Sequence, residues 1–144
     1  MSYFVTGGTG FIGRFLVEKL LERNEKIYLL VQKSSMGRYE KLLERLEVTS
    51  KEVEAVTGDL TKPNLGISDK ALAKLKGNIK QFYHLAAIYD LYAPADVQKA
   101  VNVQGTRNAI EAATAMNASC FNHVSSIAAA GLYKGTFRED MFEE

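Results

Sequence analysis

The chain has 144 residues, enough for one packed core, and its 47% hydrophobic and 24% charged residues are the composition of an ordinary globular domain. A formal net charge of +1 offers no field to which nucleic acid or an anionic membrane would respond. No apolar run is long enough to span a bilayer, and the N-terminus lacks the pattern of a signal peptide. The single cysteine, Cys120, excludes an internal disulfide, so a reducing, cytoplasmic setting is expected.

Apolar strand-like runs alternate with helical patterns along the chain. Residues 2–6 form the first expected strand. The turn Thr6-Gly7-Gly8-Thr9-Gly10-Phe11-Ile12-Gly13 then opens a segment, 11–23, in which Ile12, Phe15, Leu16, Leu20 and Leu21 recur at helical spacing. Asn24 is the expected stop. Residues 26–31 are a nearly continuous apolar run, as in a parallel strand covered on both faces. A polar connection, 32–38, leads to a helix over 39–46. The third strand, 53–57, ends at Gly58-Asp59, and 63–66 is loop. Ser68 caps a helix running to about residue 76. The fourth strand is 79–85. Pro94 marks a break before a long helix, 96–116, and the fifth strand is 120–125. The tail, 131–144, has no clear period. Strands separated by helices predict an α/β fold, a Rossmann-type doubly wound parallel sheet with strand order 3-2-1-4-5.

Ligands of such sheets bind at the carboxyl ends of the strands, around the switch between strands 1 and 4. The glycine turn follows strand 1, and two patterns overlap in it: Gly7, Gly10 and Gly13, or Gly8, Gly10 and Gly13. The strand–turn–helix setting makes this a dinucleotide fingerprint. Gly7 and Gly10 serve the turn and the close approach of a pyrophosphate, which rests on the free N–H groups of the helix start. Gly13 lets the helix pack on the strand. Thr6, Phe11, Ile12 and Arg14 complete the candidates here.

After strand 2, the position about 20 residues past the motif that carries a carboxylate in NAD sites is Gln32, followed by Lys33, Ser34 and Ser35. The missing acid and the lysine favour NADPH over NADH, with Arg14 or Arg38 helping at the 2′-phosphate. A solvated loop lysine is the plainer reading of Lys33. After strand 3, Asp59 either accepts from an adenine amino group, with Leu60 against the ring, or caps a turn. After strand 4, Leu85, Ala86 and Ala87 leave room for ribose and phosphate, or let a helix pack tightly. His84 and His123 read as strand or core-rim residues, with no metal-ligating cluster around them. Asn102, near Thr106, has poor helix propensity, which implies either a hydrogen-bonding task or a side chain that faces solvent. Ser125 and Ser126 end strand 5 beside the place of a nicotinamide, or are structural serines closing the strand. Cys120 reads as a buried, inert thiol.

These positions together resemble the extended short-chain dehydrogenase/reductases. The segments that carry the resemblance are Thr6-Gly-x-x-Gly10-x-x-Gly13, Gly58-Asp59-Leu60, His84-Leu-Ala-Ala87, Asn102-x-x-Gly105-Thr106 and Val124-Ser-Ser126. A narrower likeness, in residues 10–21, Asn64-Leu-Gly-Ile67 and 124–142, is to the amino-terminal part of bacterial fatty acyl-CoA reductases. The resemblance implies NADPH-dependent reduction of acyl-CoA thioesters to aldehydes or alcohols. It also implies a serine, matched to Ser126, that polarises the substrate carbonyl, and a Tyr-x-x-x-Lys pair that donates the proton.

Two departures stand out. Gln32 occupies a position where NADPH-using relatives often carry Arg. No tyrosine has a lysine four residues on, and only 18 residues follow Ser126. The chain therefore reads as an amino-terminal fragment, with apolar surface expected to favour self-association. The rival readings are a sugar-nucleotide epimerase or dehydratase using NAD, and a non-catalytic dinucleotide-binding module.

Overall fold

The computed structural model describes residues 2–90 and 92–141; residues 142–144 of the tail lie outside the described residues. Its strands are β1 (Ser2–Thr6), β2 (Lys26–Val31), β3 (Val53–Thr57), β4 (Ile79–His84) and β5 (Cys120–His123). All pairings are parallel, and the order is β3-β2-β1-β4-β5. The expected Rossmann-like sheet is therefore the one observed. Parallel neighbours require crossovers, and helices α1 (Phe11–Leu21), α2 (Met36–Leu46), α3 (Asp69–Leu75) and α5 (Gly105–Ala115) supply them.

Period-two alternation sends neighbouring residues of β1 to opposite faces. Tyr3 and Val5 pack with Val17, Leu20, Tyr39 and Leu42 under α1 and α2. Phe4 packs with Phe82, Leu75, Ala109 and Met116 under α3 and α5. β1 is buried over its whole length because both faces are covered, which is why its middle, Tyr3 to Val5, is apolar.

Several boundaries follow their local chemistry. Asn24 adopts a left-handed φ of 54° after α1, as its side chain permits. The Ser68 hydroxyl accepts from the Ala71 N–H at 3.3 Å and caps α3. α2 begins at Met36, a turn earlier than the sequence pattern implied, after a short turn at Lys33–Ser35. The long helix expected over 96–116 is interrupted. α4 (Ala95–Gln98) passes through a wider π turn (Lys99–Gln104) before α5 begins. π turns gather at functional sites because they redirect side chains, and Asn102 lies in this one.

Cys120 is exposed, contrary to the buried thiol expected. β5 is an edge strand with no partner on its outer side among the described residues, so apolar composition does not bury it. Both β4 and β5 stop one or two residues short of the expected ends, at His84 and His123, and free the residues that follow to line a cleft.

Phe82 is fully buried, with its ring centroid 4.8 Å from that of Phe4 and 5.3 Å from that of Phe121. Phe82→Ala should lower the free energy of unfolding by about 3–5 kcal/mol, read from urea melts.

Candidate functional site

The glycine turn leaves β1 at the centre of the sheet, where crossovers run to either side. Gly7 has φ +73°, and a Cβ there would stand 2.7 Å from the Ala86 nitrogen. A Cβ at Gly13 would overlap the Gly7 carbonyl oxygen. At Gly8 it would meet only the movable Leu29 side chain. The turn thus depends on Gly7 and Gly13, and the pattern that matters is Gly7, Gly10, Gly13. At Gly10 an added Cβ would touch only the Gly7 oxygen, at 3.1 Å. Gly10 is the N-cap of α1, with no side-chain cap and no acid in the first turn. The first N–H groups of the helix, at Phe11, Ile12 and Gly13, have no partner within it. With the positive end of the helix dipole, they make a cradle for a phosphate.

That cradle forms one wall of a cleft of about 780 Å³. Gly7, Gly10, Phe11, Ile12 and Gly13 line one side, and Leu85, Ala86, Ala87 and Asn102 line the middle. Ser125 and Ser126 close the far end. Eleven candidates, distant in sequence, thus meet in one concave surface. The cradle, the small residues beyond it and the serine end fit a dinucleotide in extended form.

The remaining candidates lie elsewhere. Thr6 is fully buried beneath the turn. Arg14 lies outside the lining, its guanidinium 4.9 Å from the ring centroids of both Phe11 and Phe15. Gln32 and Lys33 are exposed beyond β2, where the Arg38 Nη2 donates to the Ser35 Oγ at 2.6 Å. The Asp59 Oδ1 accepts from the N–H and the hydroxyl of Thr61, at 2.9 and 2.8 Å, and these bonds hold its pKa below the ordinary value. Leu60 does not present its side chain to a ring: it is buried in the core, against Gly105 of α5. Asn108, a buried residue without a sequence signal, donates from Nδ2 to the Leu60 carbonyl at 2.8 Å and holds this loop.

Of the two roles its sequence setting implied, Asn102 has the hydrogen-bonding one. Its Oδ1 accepts from the Ile88 N–H at 2.8 Å, and its Nδ2 donates to the Ile88 carbonyl at 2.9 Å. It pins the loop between β4 and α4 against the π turn. The Ser126 Oγ accepts from the Ala128 N–H at 3.1 Å, which leaves its hydroxyl proton free to donate. The lining also includes Ile88, Tyr89 and Asp90 of the loop after β4, Gln98 of α4 and His123 at the end of β5, which carry no motif signal.

The match to the male sterility protein family, an NAD-binding family, covers residues 5–144. The chain belongs to this family of extended short-chain dehydrogenase/reductases. Among the relatives of this male sterility family member, the fatty acyl-CoA reductase wat of Drosophila melanogaster is 32% identical over 139 residues, 85% of this chain and 27% of that protein. The terminal R domain from the myxalamid PKS-NRPS biosynthetic pathway superposes with a TM-score of 0.83 at 33% identity, over 99% of this chain and 39% of that one. Gre2 of Candida albicans, in complex with NADPH, superposes with a TM-score of 0.72 at 25% identity, over 90% of this chain and 38% of that one. The chain thus spans between a quarter and two fifths of the length of these proteins.

The site as it stands is an NAD(P)-binding domain of an oxidoreductase family. Among the described residues no helix is long and apolar enough to cross a membrane.

His84, 1% exposed behind the cleft, has its pKa lowered to about 4, first by burial and then by neighbouring His123. Between about 4 and the ordinary 6.5, the unfolded chain binds a proton that the folded one refuses. The contribution is complete above 6.5 and is lost as pH falls towards 4. Urea melts should show stability declining from pH 6.5 to 5, before most carboxylates titrate, and the slope should flatten in His84→Gln; the full effect is on the order of 3 kcal/mol.

Proposed function

We propose that this chain is the NADPH-binding part of a reductase that acts on fatty acyl-CoA, an acyl thioester, and yields aldehyde or alcohol. The observation that carries this reading is the single cleft joining the free N–H groups of α1 to Ser126 at the end of β5. A phosphate cradle at one end and a free hydroxyl donor at the other suit a cofactor that must bring its reactive ring to a carbonyl.

NADPH, when bound, would supply the hydride. The residues of this chain hold and orient. The N–H groups of Phe11, Ile12 and Gly13 would take the pyrophosphate. The small side chains of Ala86 and Ala87 would leave room for sugar and phosphate. The Ser126 hydroxyl, oriented by the Ala128 N–H, would donate to the thioester carbonyl and steady its developing negative charge. Lys33, on the exposed turn after β2, and Arg38, in the first turn of α2, would face a 2′-phosphate, where a carboxylate would repel it. The NADPH bound to Gre2 supports the same preference. The exposed thiol of Cys120 and the absence of any disulfide suit a reducing compartment, the cytoplasm.

The chain contains no Tyr-x-x-x-Lys, so the proton donor would come from sequence outside these 144 residues. That absence also favours the second reading, a dinucleotide-binding module without catalysis of its own.

Calorimetric titration should show NADPH binding about tenfold more tightly than NADH, with Lys33→Glu erasing the difference. Equal affinity for the two would overturn the cofactor preference, and no uptake of either would overturn the reading as a whole. The 144-residue chain mixed with NADPH and a long-chain acyl-CoA should leave the cofactor absorbance unchanged. Steady NADPH oxidation would refute the need for a proton donor from elsewhere.

A further inference from the structure

We propose that His84 is a positioning residue, a neutral relay that locks the glycine turn to the residues lining the middle of the cleft and so sets the spacing between them. The proposal rests on the reading of the cleft as a dinucleotide site.

His84 is the last residue of β4 and does not line the cleft. Both of its ring nitrogens are engaged. The Thr6 Oγ1 lies 2.7 Å from Nδ1, and the Thr106 Oγ1 lies 3.1 Å from Nε2. Counting protons determines the direction of each bond. The Thr106 hydroxyl has one proton, and it donates that proton to the Asn102 carbonyl at 2.7 Å. The bond to the ring must therefore run from Nε2–H to the Thr106 oxygen. In a neutral imidazole the other nitrogen is then an acceptor, so Nδ1 takes the Thr6 proton. The Thr6 oxygen in turn accepts from the Ala86 N–H at 3.3 Å. The result is one directional chain, Ala86 to Thr6 to His84 to Thr106 to Asn102, in which every proton has a single acceptor.

Both ends of this chain, Ala86 and Asn102, line the middle of the cleft, and its course passes beneath the glycine turn. Thr6 precedes Gly7, and its bond to Ala86 draws the end of β4 against the turn at the point where Gly7 has no Cβ. Asn102 holds Ile88 on both its N–H and its carbonyl, and Ala86, Ala87 and Ile88 lie between the two anchor points along the lining. His123, the only titratable group facing the His84 ring among the described residues, stacks on it with centroids 5.3 Å apart and planes 18° apart. An apolar residue in place of His84 could fill the same space, but both threonine hydroxyls would lose their bond to the ring, and the glycine turn and the middle of the cleft would shift independently.

The test is a double-mutant cycle on NADPH affinity with the 144-residue chain, using the near-isosteric changes Thr6→Val and Thr106→Val. The two hydroxyls meet only through the ring. Each single change should weaken NADPH about tenfold, while the double change should fall well short of the product of the two. In a His84→Phe background the threonine changes should alter affinity by less than about twofold. Urea melts of the same variants separate loss of fold from loss of affinity.

Nitrogen-15 spectra of the imidazoles, recorded without cofactor, read the relay directly and should show His84 as the Nε2–H tautomer at neutral pH. An Nδ1–H tautomer overturns the proposal, as do multiplicative effects of the two threonine changes in a chain that binds NADPH. Failure of the unmodified chain to bind NADPH overturns the functional reading itself, and the positioning role falls with it.

Discussion

Everything in this structure depends on one close approach, that of the backbone after β1 to the backbone after β4. The Gly7 carbonyl lies where a Cβ on Gly13 would stand, and the Gly7 α-carbon lies against the peptide joining Leu85 and Ala86. Without side chains at these two positions, α1 can begin directly over the end of the central strand. Its free N–H groups then open into the cleft and not into the protein. The right-handed crossovers of the parallel sheet do the rest, since they leave a crevice where connections depart in opposite directions.

The polar interior behind that crevice has an unusual economy. Thr6, His84 and Asn108 are buried, and each is hydrogen-bonded, Asn108 through both Oδ1 and Nδ2. Buried polar groups are tolerated when their partners are complete, and a complete network favours a single arrangement. Here that arrangement adds side-chain bonds between β1, β4 and α5 to the ladder of the sheet and the apolar packing beneath it. The loop after β3 is tied to α5 by Asn108, and the loop after β4 is tied to the π turn by Asn102. The cleft is thus bounded by loops, but by loops whose backbone is held from behind.

Much of the fold and part of the site were legible in the chain itself. Continuous apolar runs identify strands covered on both faces, and β1 and β2 are such runs. The glycine spacing, the small residues after β4, the helix asparagine at 102 and the paired serines after β5 are local chemical signals, and eleven of the residues they nominate meet in the cleft. The signals failed where burial depends on what lies beside a strand. Cys120 sits in an apolar run yet is exposed, because β5 is at the edge of the sheet. Leu60 follows the right motif, but its side chain turns into the core, under a helix that approaches closely because residue 105 is glycine.

By itself the sequence determined the alternation of strands and helices, the phosphate turn and the absence of a Tyr-x-x-x-Lys pair, because each of these is a property of neighbouring residues. Only the tertiary structure decided which glycine pattern matters, that Asn102 holds a loop, and that His84 is wired between two threonines 78 and 22 residues away. Such contacts depend on how side chains far apart in sequence meet once the predicted sheet has formed. No local spacing encodes those meetings.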